Sequence, residues 1–539
     1  MNSTAVERAG ASSRAGSEER ALPALIRWLD GALLCWLFAL ALFAPHSIAA
    51  TQISWMCGLL VWVVRLTLRP RPRLSRTPLD YALLGFFVLT FISALFSYDQ
   101  TVSLGKLRGA SLFTIVYLVA ENVRTRRVLS WLVLLLIASC MLNVVYTVGE
   151  RVRGRGVKVE GVLGQSPLSS AVFRSSDGKL TPTPIQSNDT VLEVDGRKVR
   201  SPEELAEALR GDDSGRPATA HVMIYRVEWM PVLEVPRGRL LAGETALERL
   251  GIEGWSRGRD WRAAGFYGHY VTYAEALQLI ASLAFGLLIA LPRKRNMHGA
   301  LLFVALAGLG LALLLTVTRA SWAALLVSAL VIMLAGTSRR TALVVAACAL
   351  PLVLGGWLIL KQQRNVGFYD QNDQSITWRQ TVWREGFGLL TSSPRHLLVG
   401  VGMDSIKRHW REWGMFEGGR IPVGHLHSTP LQLAVERGLP TLIAWLVLLF
   451  LYGQMLWRLS RVRASEQGQK LDGWIERGLM LGALGGLAGF FVSGLVQYNL
   501  GDSEVAMIFY LIMGLALAAA SLRGESENAV ETASASGAS

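Results

Sequence analysis

Roughly twelve apolar runs, each about 20 residues long, divide this chain, and a helix needs about that length to cross the hydrocarbon core of a bilayer. They fall at 29–46, 49–68, 79–97, 103–121, 128–149, 268–291, 299–316, 320–337, 341–360, 439–457, 474–496 and 502–521 of a 539-residue sequence that is 51% hydrophobic. No water-soluble fold needs so many long apolar runs. In lipid every backbone N–H and C=O has to be satisfied within its own segment, so the runs predict helices. The expected fold class is an all-α polytopic membrane protein with about twelve transmembrane helices.

Short basic loops set the orientation. Arg65, Arg69, Arg71, Arg73 and Arg76 follow the second run, and Arg124, Arg126 and Arg127 the fourth. Arg293, Lys294 and Arg295 follow the sixth, Arg339 and Arg340 the eighth, and Arg458, Arg461 and Arg463 the tenth. Every cluster follows an even-numbered run, so one sidedness satisfies the positive-inside rule and puts both termini in the cytoplasm. Much of the net charge of +14 is therefore topological, and no nucleic-acid partner is implied. The expected organisation is a disordered tail over 1–21, helices 1–5 over 22–149, an external insertion over 150–250 and helices 6–9 over 251–360. A second external segment over 361–438, helices 10–12 over 439–522 and a disordered tail over 523–539 complete it. The first tail lacks the apolar core of a signal peptide. Cys35, Cys57, Cys140 and Cys348 all fall inside expected spans and read as small reduced core residues, without a disulfide framework or a zinc spacing.

The first external segment changes character. Val157–Leu163 alternates like a strand, and Asn188–Val199 reads as a strand, an Asp195-Gly196 turn and a second short strand. Ser201 then reads as a helix N-cap before Pro202, with Leu205, Ala208 and Leu209 on one face, and Ala220–Arg226 supplies another strand. This stretch, Asn188 to Leu209 above all, resembles a PDZ domain over about 80 residues. The resemblance implies a small α+β periplasmic insertion, either a binder of extended peptides from a protein partner or a docking and spacer domain. Gly164-Gln-Ser-Pro167 is only a loose match to that family's carboxylate-binding loop.

The second external segment ends in Gly424-His425-Leu426-His427-Ser428-Thr429-Pro430. Imidazoles titrate near neutral pH, and two stand one residue apart where a helix is about to begin. Thr429 reads as the N-cap, Pro430 as the first helical residue, and Gln432 completes a Thr-x-x-Gln capping box. His427 therefore lies just ahead of a helix N-terminus, whose free N–H groups favour anions. In an extended segment residues i and i+2 point the same way, which permits a shared metal. Asp404, His409 and Glu436 are the only nearby supplements, and none has a recognisable ligand spacing.

Arginines gather on the same expected face. Thr316–Trp322 joins two runs with almost no loop, which leaves Arg319 at or inside the membrane boundary, either with an anionic partner or snorkelling. Arg262 precedes the sixth run, close in sequence to His269 and Tyr270. Arg379 and Trp383 are four apart and share a face if helical, an arrangement also common on interfacial helices. The Gly400-Val-Gly402 turn allows a close backbone approach. Guanidinium groups are suited to phosphate, so a histidine base among arginines fits displacement of a diphosphate. His427 would take the proton of an attacking hydroxyl while Arg262, Arg319 and Arg379 hold the leaving group, with His425 in support.

The segment His425-Leu-His427-Ser428-x-x-Leu431-x-x-x-x-Glu436-x-Gly438 resembles the "HxHN-x-x-L…E-x-G" motif of the O-antigen ligase and polymerase superfamily. Thr316-Val-Thr-Arg319-Ala-Ser-Trp322 is similar to its "T-x-SRGAW" segment, and Arg379…Trp383…Pro394…Gly400-Val-Gly402 to its "R…W…P-x-x-G-x-G". Arg262…Gly265-Phe266 is similar to a "R…G-x-F" element. Ser428 replaces the commoner Asn, Ala320 the usual Gly, and the PDZ-like insertion is atypical. The resemblance implies transfer of a glycan from an undecaprenyl-diphosphate carrier to an acceptor hydroxyl on the periplasmic side of a bacterial inner membrane. The acceptor is lipid A–core, protein or another glycan. It further implies an inverting, metal-independent reaction without a cofactor. His427 would be catalytic, Arg319, Arg379 and Arg262 diphosphate-binding, and His425, Ser428, Glu436 and Trp383 supporting. A polymerase of the same superfamily differs only in its acceptor. A polytopic transporter is a different class, but transporters usually show paired repeats and midplane helix breaks, and no convincing repeat is seen. The third alternative is a scaffold that recruits partners through the PDZ-like domain.

Overall fold

The structure is a computed structural model that describes residues 3–72, 74–211, 217–226, 229–338, 340, 374–461 and 473–537. The expected ninth span at 341–360, with Cys348, lies outside the described residues, as do Arg73, Arg339, Arg463 and the first part of the second external segment. Among the described residues ten helices are long and apolar enough to cross a membrane. Ten of the twelve expected runs are matched in this way, and the third forms a shorter apolar helix.

The first group comprises α1 (Ser3–Phe43), α2 (Ile48–Thr67), α3 (Asp80–Leu95), α4 (Gln100–Ala110), α5 (Thr114–Asn122) and α6 (Arg126–Arg153). The helix α4 passes through a single 3-10 turn into α5, and together they form one apolar stretch, Gln100–Asn122. Short polar residues between the runs start the helices. The Ser47 hydroxyl accepts from Ala50 N–H and the Thr125 hydroxyl from Val128 N–H, each filling a donor that a helix leaves unsatisfied. Both terminal tails, expected to be disordered, carry helical backbone continuous with the adjoining spans.

The insertion follows α6. Its strands are β1 (Val157–Val162), β2 (Val172–Arg174), β3 (Leu180–Pro182), β4 (Thr190–Val194), β5 (Arg197–Lys198), β6 (Thr219–Tyr225), β7 (Val232–Pro236) and β8 (Ile252–Arg257). Its helices are α7 (Pro202–Ala208) and α8 (Ala246–Leu250). The sheet is antiparallel throughout, in the order β3-β2-β7-β6-β4-β1-β8, with β5 folded back on β4 at the Asp195-Gly196 turn. Val157, Val191, Leu205, Val222, Ile224 and Leu233 form its own buried core. The four strands and the helix expected from alternation and caps are present, but β2, β3, β7 and β8 were not expected. Strand β8 carries the sheet through Arg257, beyond the expected boundary at 250. This sheet gives the PDZ resemblance loose support and no more.

The chain returns to the bundle with α9 (Tyr270–Ala290), α10 (Met297–Leu315) and α11 (Arg319–Gly336). The second external segment contributes α12 (Gln374–Thr391), α13 (Pro394–Val399), α14 (Ser405–His409) and α15 (Thr429–Arg437). The last three spans are α16 (Leu439–Arg461), α17 (Trp474–Gly494) and α18 (Ser503–Gly537). Helices α9, α17 and α18 lie at the centre, and residues such as Leu60, Leu301, Phe303 and Phe450 remain exposed around the outside, where lipid tails cost them nothing. Small residues allow the central pair to approach: a Cβ on Gly286 would stand 2.3 Å from Gly482 N. Close backbone contact of this kind replaces the hydrophobic drive that lipid removes.

Candidate active site

The segment from α12 to α15 packs around a core of its own, formed by Val382, Leu390, Val401, Ile406, Phe416, Leu426 and Val435 among others. The Glu385 carboxylate on α12 accepts from Phe416 N–H at 2.6 Å and Glu417 N–H at 3.1 Å. Those two bonds hold the left-handed backbone at Phe416 and Glu417 and so fix the path of the chain toward the histidines. The insertion touches the same path, because Val423 N–H donates to the Ser176 hydroxyl at 3.2 Å.

Leu426 anchors the His-x-His segment. Its side chain is fully buried in the loop core, its N–H donates to Gln432 Oε1 at 2.6 Å, and its carbonyl accepts from Trp383 Nε1 at 2.8 Å. Trp383 therefore acts on the backbone between the two histidines. His427 has a φ of 49°, in the left-handed region, so the segment is not the extended one that places i and i+2 alike. The rings still meet, with centroids 4.3 Å apart, and His427 N–H donates to His425 Nδ1 at 3.2 Å. His425 Nδ1 is thus an acceptor. Burial pushes the His427 imidazole down to about 3, helped by His425 and Arg379 and opposed by the Gln497 side chain. Burial likewise pushes His425 down to about 4, helped by Lys407, His269 and Arg379. Both rings are neutral at pH 7, and His427 Nδ1 is buried without a hydrogen-bond partner.

The arginines enter at different distances. Arg379, on α12, is near enough for its charge to depress both histidines. Arg262 lies over the Tyr270 ring, 4.4 Å from its centroid, and its charge acts on His269, which in turn acts on both site histidines. Arg319 is the first residue of α11, after Val317, whose φ of 54° is strained for a β-branched residue. Ala263 N–H donates to Leu315 O at 2.9 Å, so the Arg262 segment is tied to the turn that carries Arg319. Arg379 thus acts on the histidines, and the segments that carry Arg262 and Arg319 are joined by one backbone hydrogen bond.

The beginning of α15 differs from the expectation. Its N-cap is Ser428, without a side-chain capping bond, and the Thr429-Gln432 capping box does not form. Thr429 is instead fully buried, and its hydroxyl donates to Asn499 Oδ1 at 2.9 Å. Its N–H donates to Gln497 O at 3.0 Å. Gln432 is occupied with Leu426. A tertiary contact outcompetes the local cap. At the other end of α15, Glu436 Oε1 accepts from Asp404 N–H at 2.8 Å and its backbone carbonyl accepts from Gly402 N–H at 2.8 Å. Burial raises the Glu436 carboxyl, while Arg437 opposes the shift. Glu436 thus fastens the Gly400–Asp404 turn to α15, a supporting role.

Sequence reasoning missed Gln497 and Asn499, which lie in a loop 70 positions away with no motif to mark them. It also missed a cavity of about 650 Å³ that has His425, not His427, on its wall. Among the described residues no group of three or more His, Cys, Asp or Glu side chains is arranged to hold a metal ion.

Comparison with curated proteins finds no match to the chain. A family model described as O-antigen ligase matches residues 301–446, a stretch containing Arg319, Arg379, Trp383, His425, His427, Ser428 and Glu436. Over those residues the chain is similar to the O-antigen ligase family, in line with the superfamily resemblance of its motifs, and its ten long apolar helices fit a multi-pass membrane protein.

Proposed function

We propose that this protein transfers a glycan from an undecaprenyl-diphosphate carrier to an acceptor hydroxyl at the periplasmic face of a bacterial inner membrane. The observation that carries the reading is a pair of neutral, part-buried histidines beside Arg379, within the stretch that matches the O-antigen ligase model. His427 removes the acceptor's proton through its unpartnered Nδ1 as the acceptor oxygen bonds to the anomeric carbon. The bond from that carbon to the diphosphate oxygen breaks with inversion, and the diphosphate leaves with the electron pair. Arg379, with Arg262 and Arg319, stabilises the departing charge. No metal and no covalent intermediate is needed.

His427→Ala in the purified protein, supplied with carrier-linked donor and acceptor, should lower transfer by roughly 100-fold or more, the usual contribution of a general base. His425→Ala should lose less, since His425 supports its neighbour through one hydrogen bond. Undiminished transfer by His427→Ala would sink the assignment. A ligase is favoured over a polymerase by the description of the matching family. Loss of a ligase leaves long carrier-linked polymer in the cell, whereas loss of a polymerase leaves short chains that are still attached to the acceptor.

A further inference from the structure

His425 forms part of the wall of the cavity of about 650 Å³, which lies between α4, the 403–407 turn, α15 and the 498–503 segment. Four cations line it: Lys106, Arg108, Lys407 and Arg437. The two lysines are already engaged, both with Asp404, at 3.2 and 3.0 Å. The arginines are not matched in this way. Arg437 is 93% removed from solvent, being 7% exposed, and its side-chain hydrogen bonds are two long ones of 3.5 Å to Thr90 Oγ1 and Tyr498 OH. Its Nε–H has no acceptor. Its neighbour Glu436 spends Oε1 on Asp404 N–H. Arg108 makes no ion pair among the described residues and stands exposed on α4.

A buried guanidinium with unfilled donors is costly to the fold unless an anion completes it. Guanidinium pairs are suited to the oxygens of a phosphate. Burial also pushes the carboxyls of Glu436 and Asp502, both on the cavity wall, toward their neutral forms, which leaves the lining more positive than a count of charges suggests.

We infer that this cavity is a second anion subsite, which takes a phosphate group of the acceptor and grips it with Arg437 inside and Arg108 at the rim. The assignment rests on residues 425–427 being the transfer centre, with the donor's diphosphate held separately by Arg379. Two anionic substrates would then approach the histidine pair from two cationic flanks, and the phosphate would fix which acceptor hydroxyl reaches His427.

The test uses the full-length protein in phosphatidylcholine nanodiscs. Inorganic phosphate is titrated by calorimetry, and in a second arm the thermal midpoint is compared with and without phosphatidic acid in the bilayer. Arg437→Gln and Arg108→Gln should each weaken phosphate binding at this subsite roughly tenfold, the loss of one charge-assisted contact, while Arg379→Gln affects only the separate binding on the donor side. Arg108→Gln, on the surface, carries the test if Arg437→Gln does not fold. Stabilisation by phosphatidic acid alone, abolished by the same two substitutions, supports the subsite and identifies a lipid phosphate as its ligand. Equal weakening by Arg379→Gln would make this the donor's own site and overturn the inference, as would binding of neither probe. His427→Ala should leave phosphate binding intact, so failure of the catalytic reading and failure of the subsite are separate results.

Discussion

His427 combines three unusual conditions: a left-handed backbone, a low proton affinity and an unpartnered buried nitrogen. Holding a non-glycine residue there costs about 1–3 kcal/mol, and the bonds on both sides of Leu426 supply the constraint. The low proton affinity has a kinetic consequence. A histidine whose folded pKa is depressed stays unprotonated until the pH falls to that lower value. With burial holding His427 near 3, the base form is complete across the neutral range. The acid limb of kcat/KM, which reports the free enzyme, should therefore lie below about pH 5 and not near the ordinary histidine value of about 6.5. A limb centred near 6.5 in a pH–rate profile would show that His427 is not so depressed in the working enzyme. Trp383 gives a second expectation at this scale. Trp383→Phe removes the donor to Leu426 O and leaves most of the packing, so it should reduce kcat several-fold with little change in thermal midpoint, since one neutral hydrogen bond is worth about 1 kcal/mol. An unchanged kcat would show that the indole is packing alone. That the two histidine rings meet, with Trp383 of α12 bonded to the backbone between them, was legible as a cluster from residue type and spacing. Thr429 misled, because its hydroxyl is claimed by Asn499, 70 positions on and invisible to any local rule.

The element that carries this geometry is α15, clamped at its start by the 497–499 loop and at its end by the Gly400–Asp404 turn. The clamp requires backbone to touch backbone. Gly400 has a φ of 72° and a ψ of −170°, a combination open only to glycine, and a Cβ there would lie 2.4 Å from the carbonyl carbon and oxygen of Glu436. Backbone cannot yield as a side-chain tip does, so Gly400→Ala should cost about 3 kcal/mol or more. The loss would be read as a lower thermal midpoint of the purified protein, together with lost transfer because Glu436 no longer registers α15. A Gly400→Ala protein as stable as the parent would contradict the clamp. Helices were the most legible elements, since a run of about 20 apolar residues has few other fates. Strands β2 and β3 were the least: they are three residues each, half-exposed or exposed, and carry no alternation for the eye to follow.

At the scale of the whole molecule, the same end of the bundle gathers the 95–100 turn, the Arg262 segment, the turn before α11, the histidines and the 495–502 loop. Ser93 Oγ donates to Glu436 O, Tyr98 N–H to Val401 O, and Thr429 N–H to Gln497 O, which joins α3, the 95–100 turn and the 495–502 loop to α15 and the turn packed on it, while Ala263 N–H to Leu315 O joins the Arg262 segment to the turn before α11. The insertion belongs to this end through Ser176 and Val423. Among the described residues Arg65, Arg458 and Arg461 lie in the last turns of their helices, and Arg293 and Arg295 just beyond the end of α9. If the positive-inside rule governs this chain, the site end faces outward and every basic cluster faces the cytoplasm. Cysteine labelling tests the arrangement directly, in a background with Cys35, Cys57, Cys140 and Cys348 changed to Ala. Lys179→Cys in the insertion and Arg420→Cys beside the histidine segment, both exposed, should react with a membrane-impermeant maleimide in intact spheroplasts. Arg295→Cys, exposed after the sixth run, should react only once the membrane is opened. The reverse pattern would put the histidines in the cytoplasm and remove the carrier-linked donor from their reach. Labelling of 179 without 420 would separate the insertion from the site, against the hydrogen bond that joins them.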